Sequence, residues 1–358
     1  MNNIGIIQKK LHELSLDAVL ISDEKNQRYA LGFPFTDGAA LISRRGAWLI
    51  TDSRYIEAAR AAVGTAAKVV QFDAEKGLFA RLGEIIEGEG LRRIGAEEER
   101  LSHAAFMRAE EKLGVRLESA QEIFKTLRAA KGAEELAAMR AAQAIAEAAL
   151  EETLPLVRAG VSERELAAEL VYRMLRRGAE GTSFDPIVIT GKKTSMPHGV
   201  PGEALISRGD FVTMDFGCIW QGYCSDMTRT VAVGSATAEM RNVYDVVLAA
   251  QCAGIDAARA GVRGCDIDGA ARGVIAAAGF GEYFGHGFGH SLGLDIHEAP
   301  NASPSCRELM PVNAVISAEP GIYLPGRFGV RIEDVLILKE GGNENITHAP
   351  KELIILGE

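Results

Sequence analysis

Nowhere in the 358 residues does an apolar run continue without interruption for the about 18 residues that a membrane-spanning helix needs. Basic residues are in deficit, 39 Lys and Arg against 49 Asp and Glu. The formal net charge is −10, which argues against a nucleic-acid or anionic-membrane partner. Cysteine is scarce: Cys218, Cys224, Cys252, Cys265 and Cys306 include no C-x-x-C pair. An odd number in so long a chain does not suggest a disulfide framework. Buried free thiols are expected instead, with Cys224 two residues from Asp226. The opening MNNIGIIQKKLHEL has the spacing of an amphipathic helix. Lys9, Lys10 and Glu13 interrupt it, so it lacks the apolar core of a signal peptide, and a cytoplasmic location is the default expectation.

What is present is ordinary for a globular enzyme, 47% apolar and 25% charged residues. The length is too great for one typical core and predicts two domains. Residues 1–124 alternate helical patterns with β-rich runs at 17–22, 39–43, 47–51 and 68–72, an α/β pattern sufficient for a domain. From 125 to 358 a second, α+β domain is expected, entered by an Ala/Glu-rich helix over 133–154 that Pro155 helps to end. It contains a faint repeat. Arg158-Ala159-Gly160-Val161 recurs as Arg259-Ala260-Gly261-Val262, an offset of 101. The stretch from Leu205 to Asp215-Phe216-Gly217 matches that from Leu309 to Glu319-Pro320-Gly321, an offset of 104. Two copies of one helix-plus-strands unit around a shared centre are predicted.

Acids recur at equivalent places in the two copies. Strand-like runs over 210–216 and 223–233 flank Trp220-Gln221-Gly222, a turn signal. A hairpin centred between Trp220 and Gln221 would set Asp215 opposite Asp226. In the second copy Glu319 and Glu333 flank Pro325-Gly326-Arg327, with Gly326 at the midpoint. Like charges facing one another across apolar strands are costly. Two divalent cations would balance four such carboxylates. Beside them lies the histidine-rich run Phe284-Gly285-His286-Gly287-Phe288-Gly289-His290-Ser291-Leu292-Gly293, followed by Asp295-Ile296-His297-Glu298. Glycines next to imidazoles suggest backbone drawn close to a ligand. One imidazole added to four carboxylates favours a transition metal of hard character over Mg or Ca. No H-E-x-x-H, kinase signature set or dinucleotide fingerprint accompanies these residues.

These blocks, taken with Met196-Pro197-His198-Gly199, Ser225-Asp226-Met227-Thr228-Arg229-Thr230 and Val330-Arg331-Ile332-Glu333-Asp334, resemble the creatinase/aminopeptidase P/prolidase group of pita-bread metallopeptidases, family M24. Thr51-Asp52-Ser53-Arg54-Tyr55 and the junction Leu127-Arg128-Ala129-Ala130-Lys131 extend the resemblance over nearly the whole chain. It implies an N-terminal creatinase-like domain and a C-terminal pita-bread domain with a pseudo-two-fold repeat. It implies five ligands for two divalent ions, Mn or Co before Zn or Fe: Asp215, Asp226, His290, Glu319 and Glu333, with Asp226 and Glu333 bridging. His198 and His297 match histidines near the scissile carbonyl, Phe184 and His286 match the lining of a proline-side pocket, and Arg331 matches an arginine that supports the bridging Glu or reaches the substrate carboxylate. A homodimer is also implied. Phe288 and Ser291 depart from the residues common at their positions and are expected to reshape the pocket.

The activity implied is hydrolysis of the Xaa-Pro bond of dipeptides or short peptides by a hydroxide bridging the ions. His297 would stabilise the oxyanion, and Glu319 would carry the water's proton to the leaving nitrogen with His198 assisting. A dipeptidase (prolidase) is favoured over an aminopeptidase P acting on longer chains, and a methionine aminopeptidase ranks well below both. A catalytically silent peptide-binding protein on the same fold is the reading from another class.

Overall fold

A computed structural model describes residues 2–357. The chain forms two compact units, Met1–Arg128 and Ala129–Glu358. Among the described residues no helix is long and apolar enough to cross a membrane.

In the first unit the β-rich runs form strands β1 (Ala18–Ile21), β2 (Gly38–Ser43), β3 (Ala47–Thr51) and β4 (Lys68–Gln71), joined by β5 (Ile94–Ala96) and β6 (Leu117–Ser119). They make one mixed sheet in the order β4-β3-β2-β1-β5-β6. Every residue of β1 and β3 is buried, as continuous apolar strands covered on both faces require. Helices α1 (Ile4–Glu13), α2 (Glu24–Leu31), α3 (Ile56–Val63), α4 (Leu78–Gly88) and α5 (His103–Leu113) accompany the sheet, and α6 (Gln121–Ala129) ends the unit. The first helix buries Ile4, Ile7 and Leu11, the i, i+3, i+7 stripe seen in the sequence. A boundary between residues 124 and 125 would cut α6; the units part near its end.

The second unit is built twice. Its first half runs through α7 (Ala133–Thr153), α8 (Glu163–Arg176), β7 (Gly181–Thr182), β8 (Ile187–Thr190), β9 (Phe211–Phe216), β10 (Cys218–Trp220), β11 (Tyr223–Cys224) and β12 (Met227–Val233). Helix α7 gives way at Thr153 to a tight turn holding Pro155, which has no N–H to continue the ladder. The second half runs through α9 (Ala238–Ala257), α10 (Gly264–Ala277), β13 (Gly289–Ser291), β14 (Glu298–Ala302), β15 (Val315–Ala318), β16 (Gly321–Leu324), β17 (Phe328–Arg331), β18 (Asp334–Lys339) and β19 (Gly342–Asn345). Strand β20 (Ile355–Leu356) returns to pair in parallel with β12.

The repeat is visible bond by bond. Gly160 N–H donates to Ile206 O at 2.9 Å and Ile206 N–H to Val161 O at 2.9 Å. In the second half Gly261 N–H donates to Met310 O at 2.8 Å and Met310 N–H to Val262 O at 2.9 Å. Isolated bridges Ser162–Leu205 and Arg263–Leu309 follow the same offsets. Two cores result, one around Leu150, Leu166, Val212 and Met227 and the other around Val247, Ile267, Ile316 and Leu336, which also takes in Phe211 and Ala232 of the first half.

Candidate metal centre

The first hairpin sits one residue further along than the sequence suggests. Gln221 and Gly222 take φ of 50° and 80°, the two left-handed positions that a two-residue hairpin turn requires. Trp220 therefore belongs to the strand, paired with Tyr223. The shift puts Thr228, not Asp226, opposite Asp215. Asp226 lies two residues before Thr228, in the gap between β11 and β12, so the two acids are diagonal neighbours. The second hairpin has the expected register. Ala318 faces Asp334 in one ladder and Gly321 faces Arg331 in the next, so Glu319 and Glu333 oppose each other where the ladder is interrupted. Glu333 N–H donates to Thr228 O at 3.1 Å, which joins the two hairpins at the centre.

Three of the four acids, Asp215, Asp226 and Glu333, are buried; Glu319 is half-buried and faces the cavity. The expectation of four buried carboxylates is corrected to that extent. Asp215 Oδ1, Asp226 Oδ1 and Glu333 Oε1 are buried and accept no hydrogen bond among the described residues. His290 Nε2 lies 3.5 Å from Asp226 Oδ2 and 3.3 Å from Glu319 Oε1. Asp226, His290 and Glu333 can each offer one ligand atom within 4.8 Å of the others. Burial, reinforced by mutual repulsion, holds the carboxyls of Asp226 and Glu333 well above their usual range, and burial raises Asp215 as well. Desolvating a carboxylate costs several kcal/mol, so these groups hold their protons or take up a compensating cation, and the oxygen and imidazole donors fit one of the harder transition metals.

Arg331 is the local counter-charge. Its Nη2 donates to Asp215 Oδ2 at 2.5 Å, its Nε to Thr228 Oγ1 at 3.1 Å and its Nη1 to Tyr323 Oη at 2.9 Å. Thr228 Oγ1 spends its single proton on Glu333 Oε2 at 2.7 Å. The remainder of the chain follows from proton counting. Arginine only donates, so Tyr323 Oη accepts from it and gives its own proton to His286 Nε2, 2.9 Å away. Burial pushes the Tyr323 phenol up to about 12, so that proton stays in place. His286 must then carry its hydrogen on Nδ1, facing Gly287 O at 2.9 Å, and burial also lowers its pKa. Tyr323 and Thr228 were not singled out in the sequence. The available signal was the glycine pair around Tyr323: a Cβ at Gly321 would lie 2.5 Å from its hydroxyl oxygen, and one at Gly329 would lie 2.9 Å from its ring.

The centre opens into a cavity of about 590 Å³. All ten expected residues border it: the acids Asp215, Asp226, Glu319 and Glu333, the imidazoles His198, His286, His290 and His297, and Phe184 and Arg331. The His297 ring packs edge-on against His290, centroids 4.4 Å apart. Burial, with His290 adding to it, lowers the His297 pKa. Phe288 is fully buried, and its ring fills the space above Gly254 of α9, where an added Cβ would lie 2.2 Å away. Ser291 is buried and donates to Pro300 O. Neither lines the cavity: Phe288, just ahead of β13, packs against α9, and Ser291, at the end of β13, turns toward Pro300. The cysteines are not uniformly buried either. Cys218 and Cys224 are, while Cys252 is exposed and Cys265 and Cys306 are intermediate.

Residues 137–340 match metallopeptidase family M24, and residues 4–130 match the creatinase/prolidase N-terminal domain. A Xaa-Pro dipeptidase of Pyrococcus horikoshii is 34% identical over 343 residues, 95% of each chain. Among solved structures, a Xaa-Pro dipeptidase from Bacillus anthracis superposes with a TM-score of 0.95 at 38% identity, covering 99% of both chains. An X-Pro aminopeptidase from Thermotoga maritima gives 0.92 at 36%, covering 99% of this chain and all of that one. On sequence and on structure alike, the chain belongs to metallopeptidase family M24 and carries a creatinase/prolidase N-terminal domain ahead of the M24 domain.

Proposed function

We propose that this protein hydrolyses the bond before proline in dipeptides or short peptides, using two divalent ions held by Asp215, Asp226, His290, Glu319 and Glu333. The observation that carries the proposal is the set of three buried, unpartnered carboxylate oxygens beside His290 on a cavity that His198, His297 and Phe184 also line. Mn or Co suits the donors best. When bound, such ions activate water and polarise a carbonyl.

The chain's own residues supply the remainder. A neutral His297 keeps one N–H, free of protein partners among the described residues, to donate to the oxyanion that develops on the scissile carbonyl. Glu319 Oε1 accepts from Ser317 Oγ at 3.0 Å. Its Oε2 is left to take a proton from water and pass it to the proline nitrogen, with His198 at the same wall. Phe184 and His286 form the proline side. Proline has no N–H and a fixed φ, so a shaped apolar wall recognises it better than a contact to a scissile N–H.

One observation favours the second reading, removal of the first residue from a longer peptide. Arg331 is the one guanidinium among the described residues of the cavity, and four of its five N–H groups already donate, to Thr228, Pro197, Tyr323 and Asp215. It supports Asp215 and is poorly placed to receive a dipeptide's carboxylate. Hydrolysis of Ala-Pro, Ala-Pro-Ala and Met-Ala-Ala, with Mn or Co and with a chelator, decides between these readings. Metal-dependent cleavage of Ala-Pro alone marks a dipeptidase, and release of the first Ala from Ala-Pro-Ala marks an aminopeptidase. Cleavage of Met-Ala-Ala only would refute the proline reading. His297→Ala is expected to keep its metal and lose about 10²–10³-fold in kcat; loss of metal content would show that its role is different.

A further inference from the structure

His297 stands on a turn, and nothing holds its ring by a hydrogen bond among the described residues. Its position therefore depends on the backbone of residues 293–298, and that backbone is fixed by the neighbouring acid. Glu298 Oε1 accepts from Asp295 N–H at 3.1 Å, and Gly293 N–H donates to Asp295 O at 2.9 Å. The other oxygen, Oε2, meets Lys131 Nζ at 3.1 Å, with the two side chains 6% and 1% exposed. The carboxylate lies directly over Gly293, where an added Cβ would come within 2.8 Å of it. Lys131 is anchored in turn at the entrance to α7, where its N–H donates to Asn313 O at 3.0 Å. A second acid, Glu135, sits within its field and accepts from Gly132 N–H at 2.8 Å and Tyr223 Oη at 2.9 Å.

We propose that Lys131 and Glu298 are positioning residues: their buried ion pair clamps the 293–298 turn and so sets His297 against the scissile carbonyl. The inference rests on the reading of His297 as the oxyanion donor. Stability alone does not explain the pair, because apolar residues of equal volume often replace a buried ion pair without loss. A geometric requirement does. Only an acceptor at position 298 closes onto Asp295 N–H, and only a cation at 131 keeps that acceptor ionised and aimed.

The test is Lys131→Met in the metal-loaded full chain. Metal content and KM are expected to stay as in the wild type while kcat falls about 10²-fold, the usual consequence of an ångström-scale misplacement of a reacting group. In a His297→Ala background the same change is expected to cost no further turnover, the non-additivity of residues that act through one another. Imidazole signals of ¹⁵N-histidine-labelled protein should show the His297 resonance broadened or split by Lys131→Met, with those of His12 and His103 in the first unit unchanged. Should Lys131→Met not fold, Lys131→Met combined with Glu298→Gln removes the unpaired charge and keeps an acceptor for Asp295 N–H; it is expected to fold and recover part of the lost kcat. Wild-type kcat in Lys131→Met, or an equal loss with and without His297, would overturn the proposal. If the wild type cleaves no Xaa-Pro peptide, the proposed function falls by itself. The resonance of His297 then judges the pair, and an unchanged signal refutes it.

Discussion

Glu333→Gln is expected to abolish metal-dependent hydrolysis and at the same time to raise the melting temperature of the metal-free protein. The two effects have one origin. Glu333 is 1% exposed, and its pKa is raised well above the usual range, first by burial and then by the charges of Asp226, Glu319 and Asp215. Glutamine keeps the shape and can still accept from Thr228 Oγ1, the present partner of Oε2. What disappears is a charge that the metal-free fold is penalised for holding and that the metal requires. Relief of that penalty should raise the midpoint, by roughly 2–4 °C per kcal/mol for a unit of this size. The wild type gains about 2.7 kcal/mol per site when free metal stands at 100 times its Kd, and the variant should gain none. Melting curves with and without Mn, alongside metal content and turnover, check both halves. A variant that loads metal fully and turns over normally would remove Glu333 from the ligand set.

The second large effect concerns pH. Folded-state pKa values of Asp226 and Glu333 lie well above the ordinary 3.8 and 4.5, so the folded chain holds more protons than the unfolded chain across that window. Stability contributed by these groups is therefore present in acid and lost as pH rises through the raised values. This is the reverse of ordinary carboxylate behaviour, in which ionised native acids are favoured. Comparing the metal-free wild type with Glu333→Gln cancels the contributions of His286 and His297. The difference in melting temperature between them should widen as pH increases. Metal loading competes with the same protons, so affinity should rise with pH and binding should release protons. Calorimetry in two buffers of different ionisation heat measures that release, and identical heats in both would mean the carboxylates were already ionised.

Most of the scaffold was legible in the sequence because its signals are local. The β-rich runs became β1 to β4, the first helix buries its periodic apolar stripe, and the two weak matches near offsets 101 and 104 became equivalent hydrogen bonds. The register of the first hairpin was misread because Trp220, a residue at home in a strand, was assigned to the turn that Gln221 and Gly222 make alone. The acids and imidazoles were legible as types at repeated places, but their partners were not. Thr228 and Arg331 are 103 residues apart and Lys131 and Glu298 are 167 apart, and no pattern within a window links them. The charge count suffered for that reason. Four carboxylates against two divalent ions looked balanced, yet Arg331 sits on Asp215 and brings one positive charge more. Two bound divalent ions would leave the centre with one positive charge in excess.

The doubled architecture divides the centre between two halves. The scaffold bonds at Gly160 and Gly261 occur in both. The chemistry is divided unequally: two acids come from each half, while His290 comes from the second alone. A fragment ending after β12 would retain Asp215 and Asp226 but lose Arg331. It would bury two acids without the guanidinium that answers Asp215 or the imidazole beside Asp226, so either half alone needs the other to complete the centre.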